Sequence, residues 1–180
     1  MMKTKCHYFN MVKRVYLIGF MGSGKSTMGR WVADAMDNWT FLDLDHFIEH
    51  KYHKTISQIF EESGEDGFRE IEAKCLREVS DFDQVIIGAG GGTPCFFDNM
   101  EVMKATGLTI YLKLSPQVLN DRLRSSKSQR PLVANKSGEE LLAYIAEKLN
   151  ERESFYSEAE VIADGTVWEV KDFVDCIQKQ

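Results

Sequence analysis

Short apolar runs alternate along the chain with longer stretches of helical character. Runs at 15–18, 40–44, 85–87, 108–114 and 161–163 predict buried strands. Between them, helices are expected at 25–36, 45–51, 56–62, 67–79, 100–105, 116–124, 139–156 and 167–177. Ser115 followed by Pro116 reads as an N-cap and first helical residue. Alternation of this kind implies an α/β fold, a parallel sheet with helices on both faces. Ligands of such a sheet gather at the carboxyl ends of the strands. No internal repeat, low-complexity tract or long linker breaks the pattern, and 180 residues suffice for one domain with a proper core.

The turn after the first strand carries the chemistry most sharply. Gly19-Phe20-Met21-Gly22-Ser23-Gly24-Lys25-Ser26 reads G-x-x-x-x-G-K-S, between a strand and a helix as a P-loop requires. Its glycines let backbone N–H groups turn inward around a polyphosphate, and the helix N-terminus adds free donors. Gly22, Ser23, Gly24, Lys25, Ser26 and Thr27 are the expected nucleotide cradle. Lys25 reaches the β- and γ-phosphates, and the Ser26 hydroxyl ligates Mg²⁺.

The second strand ends Asp43-Leu44-Asp45, and alternation puts both acids on one side of the sheet edge. One carboxylate beside a P-loop orients Mg²⁺, and one accepts a proton or hydrogen bond from an attacking hydroxyl. The plainer role for Asp45 is capping of the next helix. The third strand lacks the Asp that most P-loop enzymes carry at its end and runs instead into Gly90-Gly91-Gly92. Consecutive glycines cost folding entropy, so they point either to a backbone approached closely by a small polar ligand or to a flexible turn. Arg69 and Glu72 share a helix face at i, i+3. Taken alone they read as a surface ion pair worth little; the alternative is a glutamate steadying an arginine fork for a carboxylate. The polar stretch 125–137 carries Lys127, Arg130 and Lys136, and reads as a phosphate-closing lid or as a solvated connector.

Composition narrows the partners. A net charge of −6 argues against general nucleic-acid binding. The longest apolar runs are too short to span a bilayer, and residues 1–13 contain no secretory apolar core. Residues 1–12 are expected to form a disordered extension, with Met11 as an alternative start. Cys6, Cys75, Cys95 and Cys176 are scattered and read as reduced thiols of a cytoplasmic protein. His46 and His50 stand at i, i+4 without an H-E-x-x-H pattern and read as a solvated face, not a metal pair. One domain with no obvious exposed apolar stripe leads to the expectation of a monomer.

Taken in order, these residues resemble the shikimate kinase family of P-loop small-molecule kinases. The likeness runs from about Val15 to Val174. It comprises G-F-M-G-S-G-K-S-T with Gly29 and Arg30, the D-x-D of Asp43 and Asp45 followed by Ile48 and Glu49, and Ile59-Phe60. It continues with the G-E-x-x-F-R-x-x-E of residues 64–72, Gly90-Gly91-Gly92, Arg130-Pro131-Leu132, and Arg152 with Tyr156. The triple glycine together with F-R-x-x-E is far more specific than the P-loop. The resemblance implies a three-layer α/β/α P-loop fold of nucleoside-monophosphate-kinase type, with a five-stranded parallel sheet. It implies one kinase domain over 1–180, a substrate-binding subregion over about 45–80 and a lid over about 124–138. The implied activity is ATP-dependent phosphorylation of the 3-hydroxyl of shikimate, a step toward aromatic amino acids. By this carry-over Asp45 binds substrate hydroxyls and acts as base. Arg69, steadied by Glu72, and Arg152 bind the carboxylate, and Gly90, Gly91 and Gly92 line the pocket. Lys25 and Arg130 stabilise the transferring phosphoryl, and Ser26 and Asp43 serve Mg²⁺. The adenine-contacting arginine falls at Arg122, with Arg124 as competitor. Two positions depart from the family pattern: His53 stands where a glycine is frequent, and Ser154 replaces the Pro of R-x-P-L-Y. Gluconate kinases are the nearest rival. A nucleotide-switched binding module is disfavoured, because the acid after the third strand and an N-K-x-D sequence are both missing.

Overall fold

Five parallel strands, β1 (Arg14–Ile18), β2 (Thr40–Asp43), β3 (Val85–Gly88), β4 (Leu108–Lys113) and β5 (Val161–Asp164), hydrogen-bond in the order β2-β3-β1-β4-β5. The computed structural model describes residues 12–125 and 138–180. The expected N-terminal extension, except for its last residue Val12, and most of the expected lid lie outside them. Among the described residues seven α-helices surround the sheet: α1 (Lys25–Asp34), α2 (Leu44–Tyr52), α3 (Ile56–Val79), α4 (Asn99–Thr106), α5 (Pro116–Ser125), α6 (Gly138–Tyr156) and α7 (Val170–Gln178).

Both faces of the sheet are covered, which is why residues 15–18 of β1 and 85–87 of β3 run buried without polar alternation. Tyr16 and Ile18 of β1 point into one core with Leu44, Leu76, Met103 and Ile145, contributed by α2, α3, α4 and α6. Val15 and Leu17 point into the other, with Val32 of α1 and Phe173 and Ile177 of α7. The Tyr16 hydroxyl, buried in the first core, is paired with Ser80 Oγ at 3.1 Å and Thr106 Oγ1 at 2.8 Å. A buried hydroxyl without partners would cost free energy, so this network fixes where α3 and α4 end.

Element boundaries differ from the pattern in three informative places. The helices expected at 56–62 and 67–79 form one element, α3, broken only at Gly64 with φ 68° and ψ −175°. Only glycine enters that conformation freely, so the polar tract read as a gap is a sharp bend. The strand expected to reach residue 44 stops at Asp43, whose side chain accepts from the N–H groups of Asp45 at 3.1 Å and His46 at 3.5 Å. The cap of α2 is therefore Asp43, and Asp45 sits in the first helical turn instead of on the strand. The last helix begins at Val170, not 167, because Asp164 draws the intervening residues into a turn. Its Oδ1 accepts from Thr166 N at 2.8 Å, and its carbonyl accepts from Val167 and Trp168. Ser115 does cap α5, its Oγ accepting from Val118 N at 3.4 Å. Cys75, Cys95 and Cys176 are unbridged, and burial pushes the Cys95 thiol up to about 11. Among the described residues no helix is long and apolar enough to cross a membrane.

His53 explains its own departure from the family pattern. It closes α2 in the left-handed conformation, φ 55° and ψ 34°, where glycine is the usual residue. His53→Gly is therefore expected to stabilise the fold by about 1 kcal/mol and raise Tm by about 2–4 °C, read by thermal denaturation, with no change in catalysis.

Candidate active site

The loop between β1 and α1 is built on left-handed glycines, with φ 137° at Gly19, 80° at Gly22 and 100° at Gly24. Side chains rarely tolerate these angles, and a β-carbon on Gly19 would also lie 2.8 Å from the Leu112 carbonyl. Lys25 Nζ lies inside the loop, donating to the carbonyls of Gly19 at 2.8 Å and Phe20 at 3.0 Å. Ser26 Oγ donates to Asp43 Oδ2 at 2.8 Å. Asp43 thus uses one oxygen to cap α2 and the other to hold the P-loop hydroxyl. A hydroxyl and a carboxylate are hard oxygen donors of the kind Mg²⁺ takes, so these residues fit the ion.

A cavity of about 260 Å³ opens at this edge, lined by the P-loop, Asp43, Asp45, the turn after β3, and Arg122. The Arg122 guanidinium donates to the Ser23 carbonyl at 2.9 Å and the Gly165 carbonyl at 3.2 Å, bridging the P-loop to the turn after β5. Arg124 faces Gly138 instead. Arg130, Lys127 and Lys136 lie outside the described residues. His46 and His50 are exposed, and among the described residues no group of three or more His, Cys, Asp or Glu could hold a metal.

The glycine run is the meeting point of the substrate-side candidates. A β-carbon on Gly90 would lie 2.9 Å from Glu72 Oε1 and 3.2 Å from Asp45 Oδ1. On Gly91 it would lie 3.5 Å from Arg152 Nη1, and 3.4 Å from the backbone N of Met21 in the P-loop. On Gly92 it would lie 2.7 Å from Arg69 Nη2. The run is thus a backbone approached closely by the protein's own side chains and by the P-loop. It leads into a single 3-10 turn, Thr93–Cys95.

Arg69 and Glu72 are not a surface pair. They are 9% and 1% exposed, and Arg69 Nη1 donates to Glu72 Oε2 at 2.8 Å. The other carboxylate oxygen accepts from Thr93 Oγ1 at 2.6 Å. The Phe96 ring lies 4.1 Å from the guanidinium carbon, a cation–π contact. Glu65 Oε1, on the exposed side, is 3.3 Å from Nη2. Arg69 Nε is buried and has no hydrogen-bond partner among the described residues. Thr93 and Phe96 escaped the sequence reading. Thr93 directly follows the glycines, but its partner is 21 residues away and only the fold joins them.

A family model described as shikimate kinase matches residues 21–179. The chain belongs to the shikimate kinase family. A shikimate kinase of Phocaeicola vulgatus is 56% identical over 146 residues, 81% of this chain and 83% of the relative. The crystal structure of shikimate kinase from Bacteroides thetaiotaomicron superposes with TM-score 0.86 at 42% identity, covering 93% of this chain and 97% of that one. Shikimate kinase from Acinetobacter baumannii in complex with shikimate gives TM-score 0.79 at 33% identity, covering 94% and 92%. For a shikimate kinase, the missing Pro at Ser154 has no visible cost to the reach of Arg152. α6 runs unbroken to Tyr156 and still brings the Arg152 guanidinium to Gly91, with its carbon 5.7 Å from the Phe20 ring.

Glu72→Ala would strand most of the Arg69 charge in a dry site. Breaking such a pair costs about 3–5 kcal/mol, with Glu65 holding the loss toward the lower end. Urea denaturation measures it, and Glu72→Gln, which keeps an acceptor for Thr93, is expected to lose less.

Proposed function

We propose that this shikimate kinase transfers the γ-phosphoryl group of ATP to the 3-hydroxyl of shikimate through the residues assembled at the glycine turn. One observation carries the reading: Asp45, Glu72, Arg152 and Arg69 all close on three consecutive glycines, and Gly91 also abuts the P-loop. An acceptor held against that turn sits beside the phosphate cradle, and phosphoryl transfer asks chiefly for positioning and charge stabilisation.

Asp45 receives the ring hydroxyls and accepts the proton of the attacking one. Arg69 and Arg152 grip the carboxylate, and the main chain of Gly90, Gly91 and Gly92 lines the pocket floor. Lys25 and Arg130 stabilise the transferring phosphoryl. The P-loop from Gly22 to Thr27 cradles the phosphates, and Arg122, already bridging the P-loop and the turn after β5, meets the adenine. Ser26 and Asp43 would hold Mg²⁺, which when bound neutralises phosphate charge. Residues 45–80 act as the substrate-binding subregion and 124–138 as the lid of a single kinase domain. The enzyme works as a cytoplasmic monomer; its net charge of −6 suits small-molecule substrates and not nucleic acid.

ADP release by the purified chain with Mg·ATP is measured against shikimate, gluconate and no acceptor. Release that depends on shikimate supports the reading. Release with gluconate alone overturns the acceptor, and equal release in all three makes the chain an NTP hydrolase.

Arg152→Ala is expected to raise the KM for shikimate by roughly 10- to 100-fold, since a charged hydrogen bond is worth about 1.5–3 kcal/mol. An unchanged KM would remove Arg152 from the carboxylate clamp. Lys25→Ala is expected to cut kcat by about 10²–10³, because its contact strengthens as charge moves onto the leaving oxygen.

A further inference from the structure

Three glycines in a row have no side chains with which to fix their own peptides, and glycine is the residue with most freedom to lose. Each of their carbonyls nevertheless takes one donor. Gly90 O accepts from Thr93 N at 3.1 Å and Gly92 O from Cys95 N at 2.9 Å, both local turn bonds. Gly91 O accepts from Tyr156 Oη at 2.5 Å, across 65 residues of sequence. Tyr156 is thus the one side chain anchoring a carbonyl of the run among the described residues.

Tyr156 is placed for that task. It is fully buried, and its ring packs 5.0 Å from that of Tyr111. The Tyr111 hydroxyl donates to Glu153 Oε2 at 2.9 Å, and Glu153 is also bound by Lys113. Desolvation opposes the Glu153 charge, but the hydrogen bonds from Lys113 and Tyr111 outweigh it and hold the carboxyl below its ordinary range. Burial holds the Tyr156 phenol well above its usual range, so it remains a proton donor to the carbonyl. Arg152 and Tyr156 stand at i, i+4 on α6 and so share a face. One helical turn therefore delivers a guanidinium to Gly91 and locks the Gly91 carbonyl.

We propose that Tyr156 is a positioning residue for the acceptor: by locking the Gly91–Gly92 peptide it holds the surface against which Arg152 and Arg69 are aligned. This rests on the reading of that turn as the acceptor pocket. The nucleotide cradle is anchored separately, through its own glycines and Asp43, so the loss should fall on one substrate.

The test is steady-state kinetics of the full chain carrying Tyr156→Phe, which keeps the ring and removes the hydroxyl. The KM for shikimate is expected to rise about 5- to 10-fold, as for loss of one buried hydrogen bond, with the KM for ATP and kcat within about twofold. Tyr16→Phe removes another buried hydroxyl, one paired with Ser80 and Thr106 and away from the glycines. It should lower the urea midpoint and leave the KM for shikimate unchanged. Installing p-aminophenylalanine at 156 restores a donor and should recover most of the loss. An unchanged KM in Tyr156→Phe, an equal rise for both substrates, or no rescue by the amine would overturn the proposal alone. Absence of shikimate-dependent ADP release in the unmodified chain would overturn the pocket reading and this proposal with it.

Discussion

A guanidinium and a carboxylate meet at 2.8 Å beneath the glycine turn, nearly shut off from water. Removing two charges from solvent is expensive, and their attraction repays it only when the remaining donors and acceptors are also satisfied. That requirement shapes everything around Arg69. Thr93 takes the second oxygen of Glu72, Phe96 lies over the guanidinium, and Gly92 comes so close to it that no β-carbon fits without a shift. The glycines are consequences of the buried pair as much as features of a loop. Among the described residues Arg69 Nε is the one buried side-chain donor left without a partner.

Asp43 plays the corresponding part on the nucleotide side. Its two oxygens tie the start of α2 to the P-loop hydroxyl of Ser26. The position of Asp45, two residues on, is then set by the cap that Asp43 makes. Gly91 joins the two halves, with the P-loop backbone on one side and Arg152 on the other. The turn therefore sets the spacing between the acceptor-side residues and the phosphate cradle, which is the quantity a site that relies on positioning must keep.

The substitution of Ser for Pro in the last turn of α6 shows how such a site tolerates change. A proline inside a helix removes one backbone hydrogen bond and bends the axis. Here the helix continues regular to Tyr156, and the Tyr111–Tyr156 ring pair, with Glu153 and Lys113, secures its end. Arg152 reaches Gly91 from a helix held by side-chain packing.

The strand–helix alternation, the P-loop and the ordered set of acids, arginines and glycines were legible in the chain, because each is local: a period, a spacing or a neighbouring residue type. From them follow the parallel sheet, the nucleotide side of the cavity and the shikimate kinase resemblance. What the chain could not disclose were choices made by contact. Asp43 rather than Asp45 caps α2, because the cap goes to whichever carboxylate the strand end aims at the free N–H groups. Arg69 and Glu72 are buried rather than solvated, because i, i+3 spacing sets who pairs but not what covers the pair. Phe96, Thr93 and Tyr156 acquire their roles only when the sheet brings residues tens of positions apart to one turn. Local pattern was enough for the elements and the kind of chemistry; burial and long-range pairing were settled on folding, since both depend on atoms that no local pattern encodes.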